Sequence, residues 1–165
     1  MVPNLTIPIK GQSALPIISL LLERHANLHL KAYLELNSLF YYRQSGFREH
    51  HSCQTALIKI NHWLSAINEN KIAGSLFLDF SKAFDLVDRR LLIHKLKLYT
   101  IDTSWFSSYL NKRFQQTHYA GAISDKKEVI LGVLQGYVLV PILFLIYVND
   151  LPLSLSSTSA DIFCR

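Results

Sequence analysis

From residue 129 to 149 the chain carries no charged side chain. The stretch includes ILGVLQGYVLVPILFLIYV, so most of it must leave water, and any fold is built around it. About 20 apolar residues is the length of a membrane span. One reading is therefore a small membrane-associated protein that uses 129–149. Gly132, Gln135, Gly136 and Pro141 cut the run into two shorter pieces. A strand or loop followed by a buried helix accounts for them at least as well. Pro141 suits the start of such a helix, where its missing N–H is not needed.

The remaining bounds are broad. A chain of 165 residues with half of them hydrophobic and 18% charged can bury a real core, which excludes wholesale disorder. Its length suits one domain. The 17 Lys and Arg against 12 Asp and Glu give +5, which permits a nucleic-acid or anionic-lipid partner without demanding one. Two cysteines, Cys53 and Cys164, make neither a disulfide framework nor a Cys-rich zinc site. A reducing compartment fits them better than a secreted one. Residues 1–10 lack the basic stretch and apolar core of a signal peptide, so the expectation is an intracellular protein.

The order of elements is mixed α and β, with no regular βαβ alternation. Residues 1–14 are an irregular lead-in. Helical spacing over 15–36 turns Ile18, Leu21, Leu22, Leu28, Tyr33 and Leu36 to one face, and Asn37 and Ser38 stop it. Residues 39–51 form a polar and aromatic loop. Ser52 caps a helix with Ala56, Leu57, Ile60, Trp63, Leu64 and Ile67 on its core face. After a turn at 71–74, the run SLFLDF at 75–80 predicts a central strand buried on both faces. Asp85 or Asp88 caps a helix carrying Leu91, Leu92, Leu96 and Tyr99, and a short helix follows with Trp105, Phe106, Tyr109 and Leu110. Residues 115–119 and 127–131 predict two strands around a turn at 121–126. A buried helix covers about 141–151, and the end, 159–163, predicts a turn and strand.

The acids carry the chemical signal. Asp79 ends the apolar run, where a carboxylate is costly to bury unless paired or metal-bound. Asp161 is the only acid after Asp150. Two carboxylates far apart in sequence could meet to hold Mg²⁺, the ion that steadies attacking and leaving oxygens in phosphoryl transfer. A capping Asp79 and a solvated Asp161 account for the same spacing. Phe84 taken alone fits a core aromatic, Arg48 a solvated pair with Glu49, and Gln135 a loop residue serving backbone groups. His50 and His51 have no third ligand at zinc-like spacing. Trp63 and Trp105 read as core, leaving Tyr41, Tyr42 and Tyr119 to stack on bases.

Taken in order, the blocks resemble the reverse transcriptase domain of non-LTR, LINE-type retrotransposons. LPIISLLLERH at 15–25 is similar to the family's LPxLSKxxER. QSGFREHHSCQTAL at 44–57 is similar to QxGFRxGHSTxTAL. SLFLDFSKAFDLVDRRLLIHKL at 75–96 resembles VFLDxSKAFDxVDHxxLxxKL, and GVLQGYVLVPILFLIYVNDLP at 132–152 resembles GVPQGSxLGPxLFxxYINDLP.

The resemblance implies an α/β (α+β) fingers–palm polymerase fragment, with helices packed on a small mixed sheet. Fingers-like helices would fill 15–72, a first palm-like part 73–113, a fingers-like hairpin 114–137 and a second palm-like part 138–165. It implies RNA-directed DNA polymerase chemistry on an RNA template, a DNA primer and dNTPs, with Mg²⁺ as cofactor. Asp79 and Asp161 match catalytic aspartates, and the metal-holding group is Asp79, Asp161 and Phe80. The nucleotide-binding matches are Arg48 on the triphosphate, Phe84 under the sugar, Gln135 on the incoming nucleotide, and Lys10 where the family usually has arginine.

Departures accompany the matches. The family's second hairpin aspartate is Ile162, the aromatic before it in the motif is Ser159, and Leu134, Tyr137, Val140 and His50 replace family residues. No residues remain for the family's later palm strands, primer grip and thumb, so the resemblance implies a fragment inactive alone. The alternative is a non-enzymatic remnant with weak nucleic-acid binding. No obligate protein partner is evident.

Overall fold

A computed structural model describes residues 17–48, 51–52, 54, 57–58, 61, 76–119, 121–133, 136–155 and 160–163. Its elements in chain order are helix α1 (Ile17–Leu36), strand β1 (Gln44–Ser45), helices α2 (Arg89–Leu98) and α3 (Ser104–Leu110), strands β2 (Phe114–Gln115), β3 (His118–Tyr119), β4 (Ala122–Ile123) and β5 (Lys127–Glu128), helix α4 (Val140–Val148), a 3₁₀ turn (Leu151–Ser154) and strand β6 (Ile162–Phe163). Gln54, Leu57, Ile58 and Asn61 are also helical, as the spacing after Ser52 predicts. The predicted lead-in at 1–14 and the turn at 71–74 lie outside the described residues. The class is mixed α and β, with small sheets.

The uncharged run resolves into a short helix. α4 buries Val140, Ile142, Leu143, Phe144, Leu145, Ile146 and Val148. It is apolar all round because it is surrounded: α2 brings Leu92 and Leu96, and α1 brings Leu30 and Leu34. Each such fully buried side chain contributes about 1.5–3 kcal/mol of apolar burial. Nine residues rise only about 14 Å, less than half a bilayer's hydrocarbon. Among the described residues no helix is long and apolar enough to cross a membrane. The span reading of 129–149 is therefore corrected to a buried helix preceded by turns.

α1 forms where its spacing predicts but is rotated from the predicted face. Ile18, Leu21, Leu22, Leu28 and Leu36 are exposed, whereas Glu23, Leu30 and Leu34 are buried. Two polar anchors set the rotation. The Glu23 carboxylate accepts the Val138 N–H at 3.0 Å, and the Tyr33 hydroxyl donates to the Tyr99 carbonyl at 3.0 Å. The helix stops as expected. Ser38 adopts the left-handed region (φ +52°), which lets the Ser38 and Leu39 N–H groups turn back onto Glu35 and Leu34.

Asp88, rather than Asp85, caps α2, its Oδ1 accepting from the Arg90 and Leu91 N–H groups. Leu92 and Leu96 of its predicted face are buried, while Leu91 is exposed. The predicted hairpin forms in two steps, with β2 antiparallel to β5 and β3 antiparallel to β4. β1 pairs in parallel with β6.

The largest correction concerns 75–80. Residues 76–80 form no strand and are exposed, Leu76 at 82% and Leu78 at 81%. A central strand needs neighbours on both edges. Among the described residues the ladders are β1–β6, β2–β5 and β3–β4, and none includes 76–80. Apolarity named a strand here, but no described ladder supplies its hydrogen bonds.

One buried cation joins the pieces. Arg89 Nε donates to the Gly132 carbonyl at 2.7 Å, and Nη1 donates to the carbonyls of Leu110 and Val129. These lie in the turn before α4, at the end of α3 and after β5. Gly132 (φ +80°) is pressed against the 85–87 backbone, its N–H on the Val87 carbonyl at 2.9 Å. A Cβ there would lie 2.6 Å from the Asp85 carbonyl oxygen. Arg89→Met should keep the bulk of the stem yet strand three carbonyls, destabilising the fold by about 3 kcal/mol or more. Urea unfolding monitored by circular dichroism checks this, and a loss within error of zero would count against the clamp.

Candidate functional site

The short parallel ladder positions the first candidate acid. Gln44 lies opposite Ile162 and Ser45 opposite Phe163. Parallel strands in that register also bring the preceding residues, Arg43 and Asp161, alongside each other. Arg43 Nη1 stands 3.6 Å from Asp161 Oδ2. The same guanidinium lies 5.5 Å from the centre of the Tyr42 ring. Ile162, where the resembled motif has its second aspartate, is 8% exposed and belongs to the core. An acid there would face apolar neighbours, so the departure at 162 is built into the packing.

Asp79 is exposed. Beside it, Phe80 meets Phe144 of α4 edge to face, with ring centres 6.4 Å apart. Phe84 packs on the same ring at 4.9 Å. Both phenylalanines thus anchor the 80–84 turn to the core. Lys10 and Gln135 lie outside the described residues.

Arg48 pairs with Glu35, while Glu49, its expected sequence partner, lies outside the described residues. Its Nε and Nη2 donate to the two Glu35 carboxylate oxygens at 3.0 and 2.8 Å. Its guanidinium also lies over the Phe40 ring at 4.9 Å. This fork-on-carboxylate geometry fixes the plane of the guanidinium.

Reverse-transcriptase-like chemistry would call for a divalent ion. The described residues do not by themselves fit one. A guanidinium stands on the Asp161 carboxylate, and among the described residues no group of three or more His, Cys, Asp or Glu could hold a metal ion.

A second region gathers Lys112 and Arg113, basic residues that suit nucleic acid, with aromatics not read as part of a site. Ser19, Leu22, Glu23, Trp105, Ser108, Tyr109, Asn111, Lys112 and Arg113 line a cavity of about 350 Å³. Trp105 and Tyr109 stack nearly parallel, 12° apart with centres at 5.2 Å. Arg113 covers Tyr109 at 4.8 Å and donates through Nε to the Tyr109 carbonyl. Burial first, and then the neighbouring Glu23 carboxylate, push the Tyr109 hydroxyl above its ordinary value of 10, so it stays protonated and donates to Glu23. Trp105 is 39% exposed, which corrects its assignment to the core. The signal was present: aromatic, aromatic, Lys and Arg fall within one helix and its end.

Three further polar residues were overlooked. Asn149 Oδ1 accepts the Tyr41 N–H at 2.8 Å, while its Nδ2 donates to the Leu39 carbonyl at 2.8 Å and the Tyr99 hydroxyl at 2.7 Å. Lys95 reaches both the Tyr147 carbonyl and the Asp150 carboxylate. A polar pair closing an uncharged helix was the clue to these.

Comparison with known proteins gives one family. A model described as Reverse transcriptase (RNA-dependent DNA polymerase) matches residues 10–164. A probable RNA-directed DNA polymerase from transposon X-element of Drosophila melanogaster is 34% identical over 144 residues, covering 85% of this chain and 16% of that protein. An RNA-directed DNA polymerase from mobile element jockey of the same organism is 30% identical over 156 residues, covering 90% of this chain and 17% of that protein. The jockey polymerase of Drosophila funebris is 32% identical over 147 residues, covering 85% of this chain and 16% of its own. The chain thus spans about one sixth of the length of these relatives. No solved structure matches.

The Glu35–Arg48 pair makes a pH-dependent prediction. The hydrogen bond from Arg48, opposed by desolvation and helped by the Arg48 charge, holds the Glu35 carboxyl below its ordinary value of 4.5. A depressed carboxylate contributes stability that is complete above its unfolded pKa and lost as pH falls through the lower folded value. Arg48→Met should therefore cost no more than about 1 kcal/mol at neutral pH, since Glu35 is partly exposed, and nothing at the acid end. Urea midpoints measured from neutral pH down through the carboxylate range test it. An equal loss at every pH would assign the effect to packing on Phe40.

Proposed function

Because the chain belongs to the reverse transcriptase family, in its LINE-type (non-LTR) branch, we propose that it is the nucleotide-facing portion of an RNA-directed DNA polymerase domain. Members of this family generally use divalent metal ions. The proposed parts are fingers-like helices over 15–72, a fingers-like hairpin over 114–137, and palm-like segments over 73–113 and 138–165. Asp79 and Asp161 are the proposed catalytic carboxylates, with Phe80 next to Asp79 in sequence, although the described arrangement does not by itself hold Mg²⁺. Arg48, Phe84, Gln135 and Lys10 are the proposed nucleotide contacts. An RNA template, a DNA primer and dNTPs are the proposed substrates.

The observation that most shapes this reading is the Arg43–Asp161 pair. A tethered cation already stands where a divalent ion would, and Ile162 supplies no second carboxylate. No catalytic step is assigned to this arrangement. The function it supports best is that of a polymerase portion that does not extend primers by itself. Primer extension on a primed RNA template with Mg²⁺ and dNTPs should give no product above background. Incorporation that Asp79→Asn abolishes would overturn this.

Nucleic-acid binding is the activity proposed for the chain alone. The Trp105–Tyr109 stack beside Lys112 and Arg113 supports it, since cations meet the backbone and aromatic faces meet unpaired bases. Binding to a single-stranded oligonucleotide should fall steeply as salt rises. Trp105→Ala should weaken it by about 1–3 kcal/mol, the range for one stacked base. Fluorescence anisotropy measures both. Affinity indifferent to salt and to Trp105 would remove this site from the reading.

A further inference from the structure

The geometry points to a transition-metal site on the outer surface of α1, formed by His25 and His29 and separate from any polymerase chemistry. The two imidazoles are four residues apart, one turn of helix, so their side chains rise on one face. Their ring centres are 4.3 Å apart and their planes tilt by 59°. Both residues are exposed, so an ion can reach them with part of its hydration shell. They sit well inside a helix of 20 residues, away from either end. The backbone therefore holds the pair before any ligand arrives, and little ordering entropy opposes chelation.

Imidazole nitrogen selects the class of ion. It suits Cu²⁺, Ni²⁺ and Zn²⁺, with Cu²⁺ the tightest, and does not suit Mg²⁺ or Ca²⁺, which demand oxygen ligands. The nearest charged side chains do not oppose a cation strongly. At 3.6 residues per turn, Arg24 and Lys31 project about 120–140° round the helix from the pair. The turns directly above and below carry Leu21, Leu22 and Ala32. Two protein ligands leave the remaining coordination positions to water, so the site is an exchangeable one.

The test uses the whole chain and the metals alone. Cu²⁺ titrated by calorimetry should show one ion bound by the pair, tighter than Zn²⁺, and unaffected by excess Mg²⁺. His29→Ala should lower the Cu²⁺ affinity roughly tenfold or more, because a chelate becomes a single ligand. Both positions are exposed and alanine is the best helix former, so circular dichroism should show an unchanged fold. Two paired variants keep the histidine count constant. His29→Ala with Leu28→His restores an i, i+3 pair and should recover binding. His29→Ala with Asn27→His places the rings on different faces and should not. Cu²⁺ affinity unchanged in His29→Ala, or equal recovery in the two paired variants, would overturn the site.

Discussion

The arrangement depends most on Arg89, a charged side chain held where charge is expensive. Burial pulls its pKa below the usual guanidinium value, the cost of desolvating that group. Backbone carbonyls offset that cost. Leu110, Val129 and Gly132 each aim a carbonyl oxygen at it. Without the cation those three oxygens would converge with no donor from the protein between them. The clamp fixes where α3 ends, where the hairpin leaves the core and how the chain turns towards α4. The planar arginine fork spreads its donors over two nitrogens, so it reaches carbonyls from three separate segments with one rigid group.

Periodicity and capping were legible in the sequence because they are local. The Asp88 cap, the stop of α1 at Ser38, the short α3 and the all-apolar α4 each follow from residues within a turn or two of the event. The rotation of α1 was not legible. Its leucines outnumber its polar anchors, yet Glu23 and Tyr33 decide which face turns inward through partners at Val138 and Tyr99, far along the chain. The 75–80 run failed for a related reason. Apolarity reports a wish for burial, whereas a strand is defined by who pairs with it. Candidate site positions could be named from the sequence, because the blocks that carry them are contiguous. The site's electrostatics could not, because the cation beside Asp161 comes from another strand.

The block ending in Asn149 and Asp150 shows how one motif can serve packing as much as chemistry. Asn149 bridges the 39–41 segment to Tyr99, and Asp150 receives Lys95 from α2. Tyr99 in turn accepts from Tyr33 of α1. The C-terminal end of α4 is therefore sewn to both α1 and α2 by side chains that terminate an otherwise featureless apolar helix. A run of leucines and isoleucines could slide along its neighbours with little penalty. A buried amide with three directional partners cannot, so it sets the register of the helix packing.

The β1–β6 ladder has only two rungs and joins segments far apart in the chain, Gln44–Ser45 and Ile162–Phe163. Closing so long a loop costs configurational entropy that two rungs repay thinly. Burial adds to what the rungs supply, since Gln44, Ser45 and Ile162 are all buried. The placing of Arg43 beside Asp161 therefore depends on that short buried ladder. The electrostatic character of the candidate site thus rests on two rungs of backbone pairing that reach into the core through Ile162.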